Sequence, residues 1–366
     1  MRVSSLKIGL AALATGALLV AGNALVGLGS GGFGFTTGGS EATIVAGPPQ
    51  LIGPPDVEPR PRTHHRHSGE RTSSGSATSK ASKPRAGSSA STDTQLVSCT
   101  KRVSSAASLT QALSSAGAGD KICATGDMST SRLSIDKGGT ASSPLRVVGS
   151  GSTVVKGITV TANNVLVSGF SVVGAKAPGI ELKGSNITAS NNTVKHPTGG
   201  DADGLRFFGK NIKILNNTIT DINPGGGKAH ADCMQTFATG SDSPASQNVV
   251  ISGNRCERID NQCLIAEGPN SSAGDGSGQG SSSNITFINN YCDVGASQAL
   301  QIDDVSHVKV SGNTITGTPD KAFSFQNKST NAIVTANKVA KGIGYQVGMD
   351  SSSKSGYSGP EVGGGP

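Results

Sequence analysis

The chain has 366 residues with 52 Gly, 3 Tyr, no Trp, 31 Lys+Arg and 24 Asp+Glu. That balance excludes a conventional α/β enzyme, which carries more Leu, Glu and aromatic side chains, and suits many short strands joined by turns. The net charge is +7, more than half of it in the first 95 residues; the remainder is near neutral and shows no basic stripe, which excludes a nucleic-acid binder.

In chain order, Arg2 and Lys7 precede an apolar run from Ile8 to Val20, and small residues follow through Ala24. Residues 1–29 therefore read as a secretory signal peptide cleaved after Ala24, with an uncleaved membrane anchor as the alternative. Residues 30–95 read as a disordered linker rich in Pro, Ser and Gly. Its "GPPQLIGPPDVEPRPR" is polyproline-like, and His64, His65 and His67 belong to a solvated stretch rather than a metal site. Such a stalk suits a chain that is secreted or tethered to the cell surface. Residues 96–350 form the expected folded domain, and residues 351–366 read as a disordered tail. All six cysteines, Cys99, Cys123, Cys233, Cys256, Cys263 and Cys292, fall in the folded part. An even count on an exported chain predicts disulfides, and without a CxxC spacing a structural zinc site is not expected.

From about residue 150 one phrase recurs: "ITASNNTV", "IKILNNTI", "VVISGNRC", "ITFINNYC", "VKVSGNTI" and "AIVTANKV". It sets Asn192, Asn217, Asn254, Asn290, Asn313 and Asn337 in one column at intervals of 25, 37, 36, 23 and 24 residues, with Phe170 at the same place in the earlier "VLVSGFSV". Such periods with insertions mark a solenoid. Each copy alternates apolar and polar residues, which is strand periodicity, and no helical segment intervenes. The reading is an all-β fold, a parallel β-helix. The Asn column is then an internal ladder, each side chain bonding the next across about 4.8 Å, and carries no catalytic role.

A second column runs through "GIELKG", "ADGLRFFG", "ADCMQTFA", "NQCLIAEG", "SQALQIDD" and "DKAFSFQN". Leu205, Met234, Leu264, Leu300 and Phe323 face inward. Arg206, Gln235, Ile265, Gln301 and Ser324 face outward, as do Phe208, Phe237, Glu267, Asp303 and Gln326. Outward residues of successive rungs stand side by side, so they form a polar wall. In this register Cys233 aligns with Cys263 and Cys256 with Cys292, which makes each aligned pair a disulfide candidate, with buried reduced thiols as the alternative. Cys99 and Cys123 would pair at the N-terminal cap.

The segment "SLTQALSSAGAGDKICATGDMSTSRLSIDKGGTASSPLRVVGSG" reads as a short amphipathic helix, a Gly-Asp turn and the first strands. Followed by "NNVLVSGFSVVG", it resembles the pectin-lyase-like superfamily of right-handed parallel β-helix proteins. It looks most like the branch of alginate lyases and chondroitinase-type polysaccharide lyases, with mannuronan epimerases nearby. The resemblance covers about residues 100 to 345. It implies a right-handed parallel β-helix with a short N-terminal helical cap, a long cleft on one sheet for an acidic polysaccharide, and often calcium. No complete catalytic signature of a member family is present. "IDDV", with Asp303 and Asp304, resembles one piece of the polygalacturonase set, but the later Gly-His-Gly piece is missing.

The candidate site lies on the polar wall around "GKAHADCMQTF". Asp203 aligns with Asp232, Gln262 and Gln298 across three rungs, roughly 14 Å. A lyase acting on uronates must neutralise the substrate carboxylate, remove the neighbouring proton and help the glycosidic oxygen leave. His230, Lys228 or Arg206 are the candidate bases, with His230 the best matched in intrinsic pKa. Asp203, Asp232 and Glu267 are candidate calcium ligands. Gln235, Gln301, Gln298 and Asp303 would bind sugar hydroxyls, and Phe208 and Phe237 would stack on sugar faces. Asp201, Glu267 and Asp303 make an acidic rim. A hydrolase would instead use two carboxylates such as Asp203 and Asp232. A non-catalytic glycan-binding surface protein would keep the wall without a base. The structural alternatives are that each Asp caps a backbone N–H and that His230 is solvated. His196 and His307 read as structural or solvated. The insertion Gly268 to Ser283 reads as an ordinary surface loop, with a lid as the functional alternative. The expected partner is polysaccharide, the expected contact with a membrane is through the N-terminal segment alone, and the expected state is monomeric.

Overall fold

The computed structural model describes residues 98–223, 230–276 and 278–366. The signal, linker and His-cluster readings, and Lys228, lie outside them. The first ordered elements are the strand Lys101–Val103 and the helix Ala106–Ser114. Ser105 caps that helix: its hydroxyl accepts from the Ser108 N–H, and the Ser108 side chain accepts from the Ser105 N–H, so two orphan donors are satisfied together. Leu109, Ala112 and Leu113 bury the inner face of the helix, which closes the N-terminal end of the coil.

From there the chain winds as a solenoid. A typical coil contains Leu205–Lys210, Lys213–Leu215 and Thr218–Ile222. Each strand pairs in parallel with its counterpart one coil away, as in Lys213↔Val250 and Thr218↔Arg255. All 26 described strands join one continuous hydrogen-bonded network. The core is one long cluster inside the coil, with Phe170, Phe207, Phe287, Phe323 and Phe325 fully buried. This is the predicted all-β, parallel β-helix with a short helical cap.

The interior Asn ladder is present over its whole predicted length. Asn217 Oδ1 accepts from the backbone N–H and Nδ2 of Asn192, and the pattern repeats from Asn217 to Asn254, Asn254 to Asn290, Asn290 to Asn313 and Asn313 to Asn337. Phe170 ends the ladder, its N–H donating to Asn192 Oδ1 at 3.1 Å. A second ladder runs outside the coil. Asn186, Asn211, Asn248 and Asn284 each donate Nδ2 to Oδ1 of the Asn one rung before. These residues hold φ near +57°, a left-handed turn conformation that Asn tolerates. The sequence reading missed this column because its members fall in variable turn segments.

Two expectations are corrected. The stacked cysteines do not bond along the stack. The bridges are Cys233–Cys256 and Cys263–Cys292, each with Cα atoms 5.9 and 5.8 Å apart respectively. Cys256 and Cys292 are register partners on adjacent rungs, where side chains run parallel and do not converge. Within one coil, an inward Cys at the start of the wall strand faces an inward Cys on a later strand across the interior, and that geometry closes. Cys99–Cys123 forms as expected. The tail is also ordered. Asp350 caps the 3-10 turn Ser351–Ser353, and Val362–Gly364 pairs with Tyr345–Met349 as a final rung. The low-complexity composition of the tail is offset by the unpaired edge beneath it, which supplies its hydrogen-bond partners.

Candidate functional site

The wall consists of Ile180–Ser185, Leu205–Lys210, Met234–Phe237, Leu264–Glu267, Gln298–Asp303, Lys321–Gln326 and Tyr345–Met349. Its register is the predicted one: Arg206, Gln235, Ile265, Gln301 and Ser324 are successive partners. The second outward column joins Phe237, Glu267, Asp303 and Gln326. One rung earlier, Glu181 pairs with Arg206 and Lys183 with Phe208. Extending the column back by one copy of the repeat would have found Glu181 and Lys183.

The N-terminal half of the wall is cationic and aromatic. Arg206 donates Nε to Asp203 Oδ2 at 2.6 Å and Nη2 to Asp201 Oδ2 at 2.8 Å. Its Cζ lies 5.4 Å from the centre of the Phe237 ring. Phe237 is half-buried and meets Phe208 edge-on at 5.0 Å. Phe208, expected to offer a face to sugar, is buried and serves as the support beneath Phe237. Lys183 Nζ is 5.7 Å from the Phe208 ring centre and pairs with Glu181.

Asp203 and Asp232 are both fully buried. Each caps the next rung: Asp203 Oδ1 accepts the Asp232 N–H at 3.0 Å, and Asp232 Oδ1 accepts the Gln262 N–H and Asn261 Nδ2, each at 2.9 Å. Burial pushes both carboxyls up; at Asp203 the Arg206 guanidinium works against it, while at Asp232 the Asp203 charge adds to it. Asp232 Oδ2 has no hydrogen-bond partner among the described residues, whereas both Asp203 oxygens are engaged, one by Arg206 and the other by the Asp232 N–H. Arg206 in turn is raised above its ordinary value: burial opposes this, and the two aspartates outweigh it.

The C-terminal half is acidic and amide-rich. Gln301 Oε1 accepts from Gln298 Nε2 at 2.9 Å and Gln262 Nε2 at 3.3 Å. Asp303 is fully buried, with Gln326 Nε2 on one oxygen and Asn327 Nδ2 on the other, both at 2.7 Å. Glu267 is 7% exposed, and among the described residues its carboxyl takes part in no hydrogen bond or ion pair. Burial, with the Asp303 charge adding to it, raises Glu267 to about 7. Gln235 and Gln262 are likewise buried, and each leaves its Oε1 without a partner among the described residues.

His230 sits in the turn before Met234–Phe237. Its side chain is exposed and makes no hydrogen bond among the described residues, while its carbonyl accepts the Asp232 N–H. The proposed calcium ligands do not come together. Asp203 and Asp232 are engaged with Arg206 and backbone donors, and Glu267 stands in the other outward column. Among the described residues no group of three or more His, Cys, Asp or Glu side chains is arranged to hold a metal ion. The insertion after Glu267 is pinned along the wall's edge: Asn270 bonds Asp304 through its N–H and Nδ2, and the Asp275 N–H reaches the Ala238 carbonyl. Those contacts fit the ordinary-loop reading. His196 and His307 are exposed, away from the wall, at positive-φ turn positions.

A coil of parallel rungs with one polar outer wall defines a solenoid of the β-helix class. The model of the "Right handed beta helix region" family matches residues 149–339, and the chain belongs to that family. Solved structures with a similar backbone include an alginate lyase from Paenibacillus sp. str. FPU-7, 15% identical over 69% of this chain and 100% of that one, with a TM-score of 0.41. Pectate lyase Pel9A is 14% identical over 67% of this chain and 78% of that one, with a TM-score of 0.45. PfbA, a surface adhesin of Streptococcus pneumoniae, is 15% identical over 62% and 71%, with a TM-score of 0.38. No curated protein matches the sequence.

Proposed function

We propose that this chain is an exported polysaccharide lyase that cleaves a uronic-acid-containing glycan by β-elimination on the wall. The observation that carries the reading is Arg206, a part-buried guanidinium fixed against the accessible ring of Phe237 by Asp203 and Asp201. Asp201 is the exchangeable partner, since its side chain is 53% exposed. A substrate carboxylate that displaces it would gain charge-assisted hydrogen bonds in a partly desolvated place. Neutralising that carboxylate acidifies the adjoining C–H, which is the barrier in β-elimination. The sugar ring would lie on Phe237, and Gln298 and Gln301 would bind hydroxyls of the following residues.

The test is ultraviolet absorbance while the purified protein is incubated with uronic-acid polysaccharides, with calcium and with chelator. A rise in absorbance marks the unsaturated product, and Arg206→Ala should lower the rate about 100-fold. New reducing ends without absorbance would make the protein a hydrolase. Binding without either product would make it a glycan-binding surface protein, a reading favoured by the complete burial of Asp203 and Asp232.

A further inference from the structure

The β-elimination reading leaves its proton-abstracting group open, and the wall points to one. We infer that Glu267 is the general base of this reaction: it neighbours the accessible Phe237 ring on the rung opposite that of Arg206, and no group among the described residues hydrogen-bonds its carboxyl. The inference rests on the lyase reading above.

Three observations converge on Glu267. The first is position. Arg206 stands one rung before Phe237 and Glu267 one rung after it. Two rung steps and the two-residue offset between their columns set the backbone positions of Arg206 and Glu267 about 12 Å apart, and the Arg206 guanidinium reaches back over Phe237, which leaves room for a pyranose ring and its carboxylate between them. A uronate lying on Phe237 with its carboxylate at Arg206 thus presents its C5–H toward Glu267. His230 does not share that placement, since it precedes Phe237 by seven residues and sits in the turn that leads into the strand.

The second observation is vacancy of hydrogen bonding. Every other inward or buried acid of this region is engaged: Asp203 by Arg206 and the Asp232 N–H, Asp232 by Asn261 and the Gln262 N–H, Asp303 by Gln326 and Asn327. Glu267 is 7% exposed and makes no hydrogen bond among the described residues. With no hydrogen-bond partner among the described residues, this carboxyl is free to accept a proton from a ligand.

The third is electrostatic setting. The charged groups that act on Glu267 among the described residues are Asp303 on the following rung and Asp232 on the preceding one. Low polarity and like charge keep the carboxyl basic, with a pKa of about 7, the range suited to proton abstraction near neutral pH. Asp303 is out of reach of substrate and acts as a positioning residue.

The step balances as follows. Glu267 carboxylate takes the C5 proton, and the C5–H electron pair forms the C4=C5 double bond. The C4–O bond breaks, and its electron pair leaves with the glycosidic oxygen, which takes a proton from water. Glu267 returns its proton to solvent.

The experiment uses the whole purified protein and the polysaccharide it degrades fastest among polymannuronate, polyguluronate and polygalacturonate. Glu267→Ala should lower kcat by 100-fold or more, and added formate, a small replacement base, should restore part of it. In the wild type kcat/KM should rise with pH through about 7, because only the ionised carboxyl accepts a proton. Asp303→Asn removes the neighbouring charge and should move that rise to lower pH, a shift that a purely structural Asp303 would not produce. A Glu267→Ala variant within tenfold of wild type, or one that formate does not rescue, overturns the assignment, as does an unmoved pH profile in Asp303→Asn. If His230→Ala alone abolishes turnover, the base is His230 and the lyase reading stands without Glu267. A wild type that yields no unsaturated product from any of the three polymers overturns the lyase reading and the assignment together.

Discussion

The interior of the coil and its outer wall are built from the same strands, yet they treat polar groups in opposite ways. Inside, Asn254 is fully engaged: its Oδ1 accepts from the N–H and Nδ2 of Asn217, and its Nδ2 donates to the Ile214 and Ser252 carbonyls. Each rung completes the one before it, so the ladder has nothing to offer a ligand. On the wall, Asp232 Oδ2, Gln235 Oε1 and Gln262 Oε1 are buried without a partner among the described residues. Left-over acceptors of this kind weaken a fold. Their concentration on one face of one sheet is what the proposed binding of a donor-rich ligand there would use.

The largest expected effect falls on the wall. Arg206→Ala should lower kcat/KM on a uronate polymer about 100-fold, and the abandoned Asp203 should take up a proton, visible as a new pH dependence of the melting temperature. Next comes the interior. Replacing Cys233 and Cys256 together by Ser should cost about 2–4 kcal/mol, lowering Tm by roughly 5–15 °C with little change in KM. Asn254→Ala should cost about 2 kcal/mol by stranding the Asn217 N–H, with kcat within twofold of wild type; a large loss of kcat would break the division drawn here.

Glu267 gives a pH-dependent effect of similar size. Its folded pKa of about 7 lies above the ordinary glutamate value of 4.5, so the folded state holds a proton longer than the unfolded chain. Its contribution is present at low pH and is lost as pH rises from about 4.5 to about 7. Denaturant titrations across that window should show Glu267→Gln falling less steeply, by on the order of 2 kcal/mol. The slope that remains includes Asp203, Asp232 and Asp303, which burial also raises and which therefore have the same sign. The smallest effect is Gln235→Leu: stability within about 1 kcal/mol of wild type, because an unmatched acceptor is removed, with glycan affinity down several-fold by titration calorimetry. A marked loss of stability there would show that Gln235 belongs to the structural class after all.

Much of this was legible in the residue order. A one-letter period-two pattern with Asn returning every coil is enough to specify parallel rungs, because a one-residue slip would turn every core side chain outward. The wall columns from Arg206 to Ser324 and from Phe237 to Gln326 followed from the same alignment. What alignment could not supply was direction across the coil. It placed Cys233 beside Cys263, whereas the bonds run from Cys233 to Cys256 and from Cys263 to Cys292 within single coils. Nor could it supply depth. Phe208 and Asp303 read as outward residues, and they do point outward, but neighbouring rungs and turns cover both.

By itself the sequence determined the repeat, the register and the identity of every side chain on the wall, since these depend on periodicity along the chain. Tertiary structure alone decided which of those side chains are saturated and which are left over. That distinction depends on partners twenty to forty residues away, such as the Asp232 N–H on Asp203, the Gln262 N–H on Asp232 and Gln326 against Asp303, and only the closed coil brings them within hydrogen-bond range.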